Sequence, residues 1–131
     1  MIYDILCLVV FVNYITLVNK ENLIKDKYFK NLELVDYTDV LGNEVQIEKT
    51  TLKAYLELKE FLEMKNIHIS IDSAYRTFEE QQKIIDEYTM KYGENYVKDY
   101  VAPIKAGEHH TGLAIDLCFK VNNKWIVENE E

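Results

Sequence analysis

At residues 108–116 the chain reads Glu108-His109-His110-Thr111-Gly112-Leu113-Ala114-Ile115-Asp116. From Gly112 to Phe119, larger apolar residues alternate with small or polar ones, which is the two-residue period of a half-buried strand. This period places Asp116 on the same face as Gly112 and Ala114, whose side chains are too small to block a ligand. His109 comes just before the turn expected at Gly112. A neutral imidazole and a carboxylate are two of the three protein ligands of many catalytic zinc sites, so His109 and Asp116 are candidate metal ligands.

Length and composition predict one packed domain. The chain has 131 residues, of which 48% are hydrophobic, and ten tyrosines, which suits a globular fold with a single core. The net charge of -8 argues against a nucleic-acid partner, because such a partner calls for a basic patch. Cys7 and Cys118 make no disulfide framework, and we expect each to be an ordinary buried thiol.

The amino end is apolar but matches no standard targeting signal. The run from Ile5 to Val12 is unbroken, yet it is too short for a confident membrane span and lacks the basic region and cleavage site of a secretory signal. The role of residues 1–12 and a cytoplasmic location both stay open. A strand is predicted from Tyr14 to Val18, and the domain is expected to occupy residues 13–131.

The remaining pattern predicts an α+β fold, in which helices pack against a small antiparallel sheet. A polar surface loop is expected from Asn19 to Asn31. The other predicted elements are strands at Leu32–Val35 and Val45–Ile47 around a turn at Gly42-Asn43, a helix from Thr50 to Met64, a strand at Ile67–Asp72 with its three isoleucines in the core, a helix from Thr77 to Tyr92, a helix from Glu94 to Tyr100, and a hairpin at Asn122-Asn123.

The helix predicted from Thr50 to Met64 carries its apolar residues at helical spacing. The stripe is formed by Leu52, Tyr55, Leu56, Leu58, Phe61 and Leu62. Lys53, Lys59 and the glutamates are left for solvent.

Arg76 is the second chemical feature of the sequence. It lies where a predicted strand leads into a helix, and Thr77 with Glu80 forms a capping-box signature there. A helix N-terminus favours anions, and a guanidinium can bind a carboxylate through two parallel hydrogen bonds. Gln81 lies one turn into the helix and could point the same way. The ordinary alternatives are a surface salt bridge for Arg76 and a solvated side chain for Gln81.

Taken together, these residues form a pattern that resembles a known family. The pattern is Ser73-x-Tyr75-Arg76, then Gln81, then His109-x-x-Gly112-x-Ala114-x-Asp116. It resembles the zinc D-alanyl-D-alanine carboxypeptidases of bacterial cell-wall metabolism, the VanY-type family, from about Tyr14 to the last residue.

The resemblance implies a site and an activity. It makes His109 and Asp116 zinc ligands, and it makes Arg76 the group that binds the terminal carboxylate of a D-Ala-D-Ala peptide, with Gln81 and Ser73 also on the substrate side. The activity implied is hydrolysis of the terminal D-Ala peptide bond by zinc-activated water. The partner would be a peptidoglycan stem peptide, which suggests a location in the cell envelope.

The sequence departs from the family pattern in two places. The family takes its third zinc ligand and its general base from a later Glu-x-Trp-His motif, and no histidine follows Trp125 in the 131 residues. In addition, Gly107 stands where the family usually has a serine. His110 and His68 are weak substitutes for the missing ligand, because adjacent side chains diverge and because His68 lies on the polar face of its strand.

Two functions therefore stay open at the level of the sequence. The first is a zinc carboxypeptidase. The second is a truncated, inactive relative that binds zinc weakly or binds a peptide carboxylate, since no catalytic base is identified and a site with two ligands holds zinc poorly. On this view the fold is incomplete at its C-terminal end, and an exposed sheet edge favours self-association. A third, plainer alternative is an α+β domain without a site.

Overall fold

The computed structural model describes residues 16–126. The apolar segment 1–12 and Cys7 therefore lie outside the described residues. The strands are β1 (Leu34–Thr38), β2 (Glu44–Glu48), β3 (Ile69–Ser73), β4 (Asp116–Val121) and β5 (Lys124–Ile126); the helices are α1 (Lys49–Glu63), α2 (Phe78–Tyr92) and α3 (Glu94–Tyr100), with 3-10 helices at Asp26–Asn31 and Glu108–Thr111. The predicted α+β class, with helices and small antiparallel sheets, is confirmed.

The described chain divides into two compact units. The first comprises residues 16–32 and 76–111, and the second comprises residues 33–75 and 112–126. All five strands and α1 belong to the second unit, whereas α2, α3 and both 3-10 helices belong to the first.

A two-stranded hairpin opens the second unit. β1 and β2 pair antiparallel, with Val35 opposite Ile47 and Tyr37 opposite Val45. The turn closes through a hydrogen bond of 2.8 Å from the Gly42 amide to the Asp39 carbonyl oxygen. Gly42 has a φ of +78°, which a residue without a Cβ adopts easily. The predicted turn near Gly42 is confirmed.

The second sheet has the order β3-β4-β5 and is antiparallel throughout. Asn122 and Asn123 join β4 to β5 with φ values of +50° and +62°, so the predicted two-residue hairpin is confirmed. An irregularity between Ile71 and Ser73 sets Ser73 opposite Asp116. β4 begins at Asp116, where its pairing with β3 starts opposite Ser73. The strand predicted from Gly112 therefore starts four residues later than expected.

The core of the second unit lies between α1 and the strands. Its buried members are Ile47, Tyr55, Ile69, Ile71 and Ala74. Ile115 and Leu117 pack against this cluster. Cys118, which follows Leu117 in β4, is also buried. Burial raises the pKa of the Cys118 thiol, in keeping with the ordinary buried cysteine that was predicted.

The predicted apolar stripe of α1 is only partly correct. Leu52, Tyr55 and Leu62 pack in the core, but Leu56, Leu58 and Phe61 are exposed. At about 100° per residue, positions 52, 55, 59 and 62 share one narrow face, and the exposed residues fall beside it. Lys59 was assigned to solvent, yet this face takes it to a buried ion pair with Asp39.

The strand after α1 was also predicted too long at its start. Ile67 is 43% exposed and lies before β3, whereas Ile69 and Ile71 are buried. The residues between α1 and Ile67 form turns, and Asn66 has a φ of +60°. The chain has therefore not yet joined the sheet at Ile67, and only two of the three isoleucines reach the core.

The first unit is built on two consecutive helices. Thr77 and Glu80 form the predicted capping box at the start of α2, with both reciprocal hydrogen bonds present. Gly93, with a φ of +89°, ends α2 and precedes α3, as predicted. The segment predicted as a loop contains the 3-10 helix Asp26–Asn31, and Thr16 to Val18 are irregular where part of a strand was predicted. Among residues 16–126 no helix has both the length and the apolar character needed to span a membrane.

Candidate functional site

Arg76 is the only arginine of the chain, and it directly precedes the N-cap of α2. Its side chain is half-buried, and Nη1 donates a hydrogen bond of 3.0 Å to Oε1 of Gln81. The helix N-terminus and the guanidinium both favour a negative charge. The location predicted from the sequence is therefore the one observed.

Gln81 is held in one orientation. It is only 3% exposed, and its Nε2 donates a hydrogen bond of 2.7 Å to the carbonyl oxygen of Ala102. Because Nε2 is occupied as a donor, Oε1 faces Arg76 as the acceptor. The ordinary alternative for Gln81, a solvated side chain, is wrong. Ala102 was not predicted, since nothing in its sequence context marks its carbonyl group.

The backbone of Arg76 is tied to the segment that carries the two adjacent histidines. The Arg76 amide donates to the His109 carbonyl oxygen at 3.1 Å. Nδ1 of His110 lies 2.7 Å from the Arg76 carbonyl oxygen. These two hydrogen bonds hold Arg76 on both sides of its α-carbon.

His109 lies on the 3-10 helix Glu108–Thr111 and is half-buried. This helix is fixed within its unit by a hydrogen bond of 2.6 Å from Thr111 Oγ1 to the Glu108 carbonyl oxygen. A second one of 2.8 Å runs from the Tyr28 hydroxyl to the Thr111 carbonyl oxygen. The turn predicted after it is present, since Gly112 has a φ of +75°.

Asp116 and Ser73 meet in the second unit. Ser73 Oγ donates a hydrogen bond of 2.6 Å to Asp116 Oδ2, and the two residues face each other across the pairing of β3 with β4. The short distance is typical of a hydroxyl that donates to an ionised carboxylate. Ser73 was predicted on the substrate side, and its observed partner is the candidate metal ligand.

The predicted zinc ligands have the right donor types but fall short in number. An imidazole nitrogen and a carboxylate oxygen are both common zinc ligands. His109 belongs to the first unit and Asp116 to the second. Within residues 16–126 no group of three or more His, Cys, Asp or Glu side chains is placed to hold a metal ion. The pair therefore stays a prediction.

The two other histidines are not suited to replace the missing ligand. The ring of His110 is 1% exposed and directs Nδ1 at the Arg76 carbonyl oxygen. His68 is exposed just before β3, as an ordinary surface histidine would be.

Residues 44–130 match the model of the VanY D-alanyl-D-alanine carboxypeptidase family. The chain belongs to this family. All five predicted site residues lie inside the matched range, namely Ser73, Arg76, Gln81, His109 and Asp116.

Individual relatives agree with this assignment. The chain is 25% identical over 134 residues to the protein named "Putative carboxypeptidase YodJ" of Bacillus subtilis (strain 168), with 89% of this chain and 49% of that protein covered. It also superposes on the crystal structure of the vancomycin resistance D,D-pentapeptidase VanY from a VanB-type cassette, which is an E-to-A mutant in complex with Zn(II). The TM-score is 0.70 and the identity is 25%, with 83% of this chain and 63% of that chain covered. VanYB in complex with D-alanine-D-alanine gives a TM-score of 0.67 and 27% identity over 78% of this chain and 58% of that one. The chain thus spans about half the length of the Bacillus subtilis relative.

Proposed function

We propose that this VanY-family chain is a zinc-dependent D-alanyl-D-alanine carboxypeptidase-like protein of the cell envelope, whose described residues bind the carboxyl end of a peptidoglycan stem peptide. The observation that carries the proposal is the connected series Arg76, Gln81 and Ala102. The Ala102 carbonyl oxygen orients Gln81 through a hydrogen bond of 2.7 Å, and Gln81 in turn orients Arg76 through one of 3.0 Å. A solved relative binds D-alanine-D-alanine, which supports the choice of ligand.

The charge of the chain makes a local carboxylate-binding group necessary. With a net charge of -8, the protein as a whole repels an anionic peptide end. Selection for a free carboxylate must then come from donors placed at short range. Arg76 provides them in a planar fork, and Gln81 limits the directions that the fork can take.

We further propose His109 and Asp116 as zinc ligands, since a solved relative of the family is a complex with Zn(II). A zinc ion there would polarise the scissile carbonyl group and lower the pKa of a water molecule. Ser73 would orient the Asp116 carboxylate through its hydrogen bond. With only these two ligands, zinc is expected to bind weakly.

A second candidate function is binding without hydrolysis. It is favoured by one observation, that within residues 16–126 no three metal-binding side chains are grouped so as to hold a metal ion. In this case the chain would hold a peptide carboxylate through Arg76 and release no product.

Peptide binding tests the proposal directly. An acylated peptide ending in D-Ala-D-Ala and the same peptide with a C-terminal amide are titrated calorimetrically, and the acid is expected to bind more tightly. Arg76→Gln should remove the preference, at about 1.5–3 kcal/mol for a charge-assisted hydrogen bond. Lys83→Gln removes the same charge from an exposed position on α2 and should leave the preference intact. Equal binding of acid and amide by the unaltered protein would reject the proposal.

Turnover separates the two candidate functions. Release of D-Ala from the same peptide is measured with and without added zinc, and we expect it to be negligible for these 131 residues. Robust release that His109→Ala abolishes would instead establish the enzyme. Release that persists in His109→Ala would point to a contaminating peptidase. His68→Ala, a substitution at an exposed histidine, is the matched control.

A further inference from the structure

His110 is a buried histidine that neither candidate function uses. Its ring is 1% exposed and lies edge-on to Phe78, with 4.8 Å between ring centroids. Phe78 in turn packs edge-on against Phe29 at 5.7 Å. The imidazole thus packs against an aromatic side chain of its own unit, Phe78.

The two ring nitrogens of His110 have opposite surroundings. Nδ1 lies 2.7 Å from the Arg76 carbonyl oxygen. A carbonyl oxygen can only accept, so Nδ1 carries the proton and Nε2 of the neutral ring is an acceptor. Nε2 is buried and has no hydrogen-bond partner among the described residues. Buried polar atoms without a partner are rare in native folds, so this one calls for an explanation.

We propose that His110 is a positioning residue, which holds the backbone of Arg76 so that the guanidinium stays aligned with Gln81. Three contacts define this arrangement. Nδ1 of His110 holds the Arg76 carbonyl group, the His109 carbonyl oxygen holds the Arg76 amide, and Gln81 holds the guanidinium. Arg76 is therefore fixed at its amide, its carbonyl group and its side chain.

Gly107 accounts for the unpartnered nitrogen. A Cβ added to Gly107 would lie 3.8 Å from Nε2 and 3.7 Å from Cδ2 of His110, and 3.6 Å from the Cβ of Ala102, all of which are ordinary contact distances. A serine hydroxyl extends one bond beyond that Cβ and can reach Nε2 as a donor. In this chain glycine offers no hydroxyl at that position, and Nε2 of His110 has no hydrogen-bond partner among the described residues.

Two readouts test the positioning role. His110→Leu removes the Nδ1 donor, whereas His110→Asn keeps a donor at the equivalent position of the side chain. We expect faster hydrogen exchange of the Arg76 amide, and roughly tenfold or more weaker binding of the acid peptide, in the leucine variant, with substantial recovery of both in the asparagine variant. His68→Leu, at an exposed histidine, is the matched control.

The ligand part of this inference rests on the proposed function, but the exchange part does not. If Arg76→Gln leaves peptide binding unchanged, the proposed function fails, and exchange of the Arg76 amide still decides the role of His110. If Arg76→Gln weakens binding while His110→Leu alters neither binding nor exchange, the positioning role is refuted.

A third measurement applies even if His110→Leu does not fold. The ring ¹⁵N resonances of the unaltered protein should show a protonated Nδ1 and an unprotonated Nε2. Gly107→Ser should raise the Tm by roughly 2–5 °C relative to Gly107→Ala, because only serine offers a donor to Nε2. The difference should vanish when His110 is asparagine. A protonated Nε2, or an equal Tm for serine and alanine, would contradict the geometry.

Discussion

Asp39→Ala is expected to be one of the most destabilising single substitutions in the described chain. The carboxylate is 7% exposed and accepts hydrogen bonds from the Tyr55 hydroxyl, Lys59 Nζ, the Val40 amide at 2.8 Å and the Ile71 amide at 3.2 Å. It thereby joins the β1–β2 turn to α1 and β3. Burial, followed by the hydrogen bond to Asp39, raises the pKa of Tyr55, so this hydroxyl keeps its proton and donates.

The magnitude follows from what the substitution leaves behind. Alanine leaves the Lys59 ammonium group without its partner, and the Lys59 side chain is only 14% exposed. The buried Tyr55 hydroxyl and the Ile71 amide also lose their acceptor. Removing one partner of a buried, hydrogen-bonded ion pair costs about 3–5 kcal/mol. With an m-value of about 2 kcal/mol/M in urea, the midpoint of unfolding should fall by about 2 M.

Urea unfolding followed by circular dichroism measures this shift. Asp36→Asn is the control, because Asp36 is exposed and its side chain accepts a hydrogen bond of 3.1 Å from Gln46 at the surface. Its free energy of unfolding should change by less than about 0.5 kcal/mol. A loss below about 1 kcal/mol for Asp39→Ala would show that the network contributes no more than a surface pair.

The same carboxylate predicts a pH dependence. Burial alone would raise the pKa of Asp39, but the hydrogen bonds from Lys59, Tyr55 and two backbone amides outweigh it, so the pKa lies below its ordinary value. The stabilisation is therefore fully present above the pKa of the unfolded chain and is lost as the pH falls through the folded-state pKa. The difference in unfolding free energy between the unaltered protein and Asp39→Asn should shrink below about pH 4. A difference that stays constant down to pH 2 would contradict the assignment.

Two further substitutions probe single hydrogen bonds. Thr77→Ala removes the N-cap of α2 and should lower the free energy of unfolding by about 1 kcal/mol, as measured by urea unfolding. Lys53→Ala, at an exposed position of α1, is the control, and an equal loss in both variants would deny a special role to the cap. Ser73→Ala should weaken zinc binding roughly tenfold, because Asp116 loses the donor that orients it. Competition with a chelating dye measures the affinity, and an unchanged value would show that Ser73 does not contribute to zinc binding.

The sequence predicted those features whose cause is local. The capping box of Thr77 and Glu80 and the turn at Asn122-Asn123 depend on residues a few positions apart, so both were predicted with correct bounds. The position of Arg76 at a helix N-terminus followed from the same cap.

Features that depend on distant partners were missed. Lys59 looked like a solvent residue because its partner Asp39 is 20 positions away, and only the folded hairpin brings the two together. Gln81 looked solvated because its acceptor, the Ala102 carbonyl group, has no side-chain signature. The sequence marks His110 only as a weak replacement ligand, because its observed partner is a backbone oxygen 34 positions earlier. The periodicity of the sequence predicts the face of an element on which a residue lies, but it does not predict which distant group that residue contacts.

Under the proposed function, the hydrogen bond of Ser73 limits which of the predicted substrate-side residues can donate to a peptide carboxylate. A serine hydroxyl has one proton, and Ser73 donates it to Asp116 Oδ2 at 2.6 Å. While that bond is intact, Ser73 can accept from a ligand N–H but cannot also donate to a carboxylate. Under the proposed function, Arg76 would then supply the donors to the carboxylate, and the contacts that hold Arg76 in place would bear directly on binding.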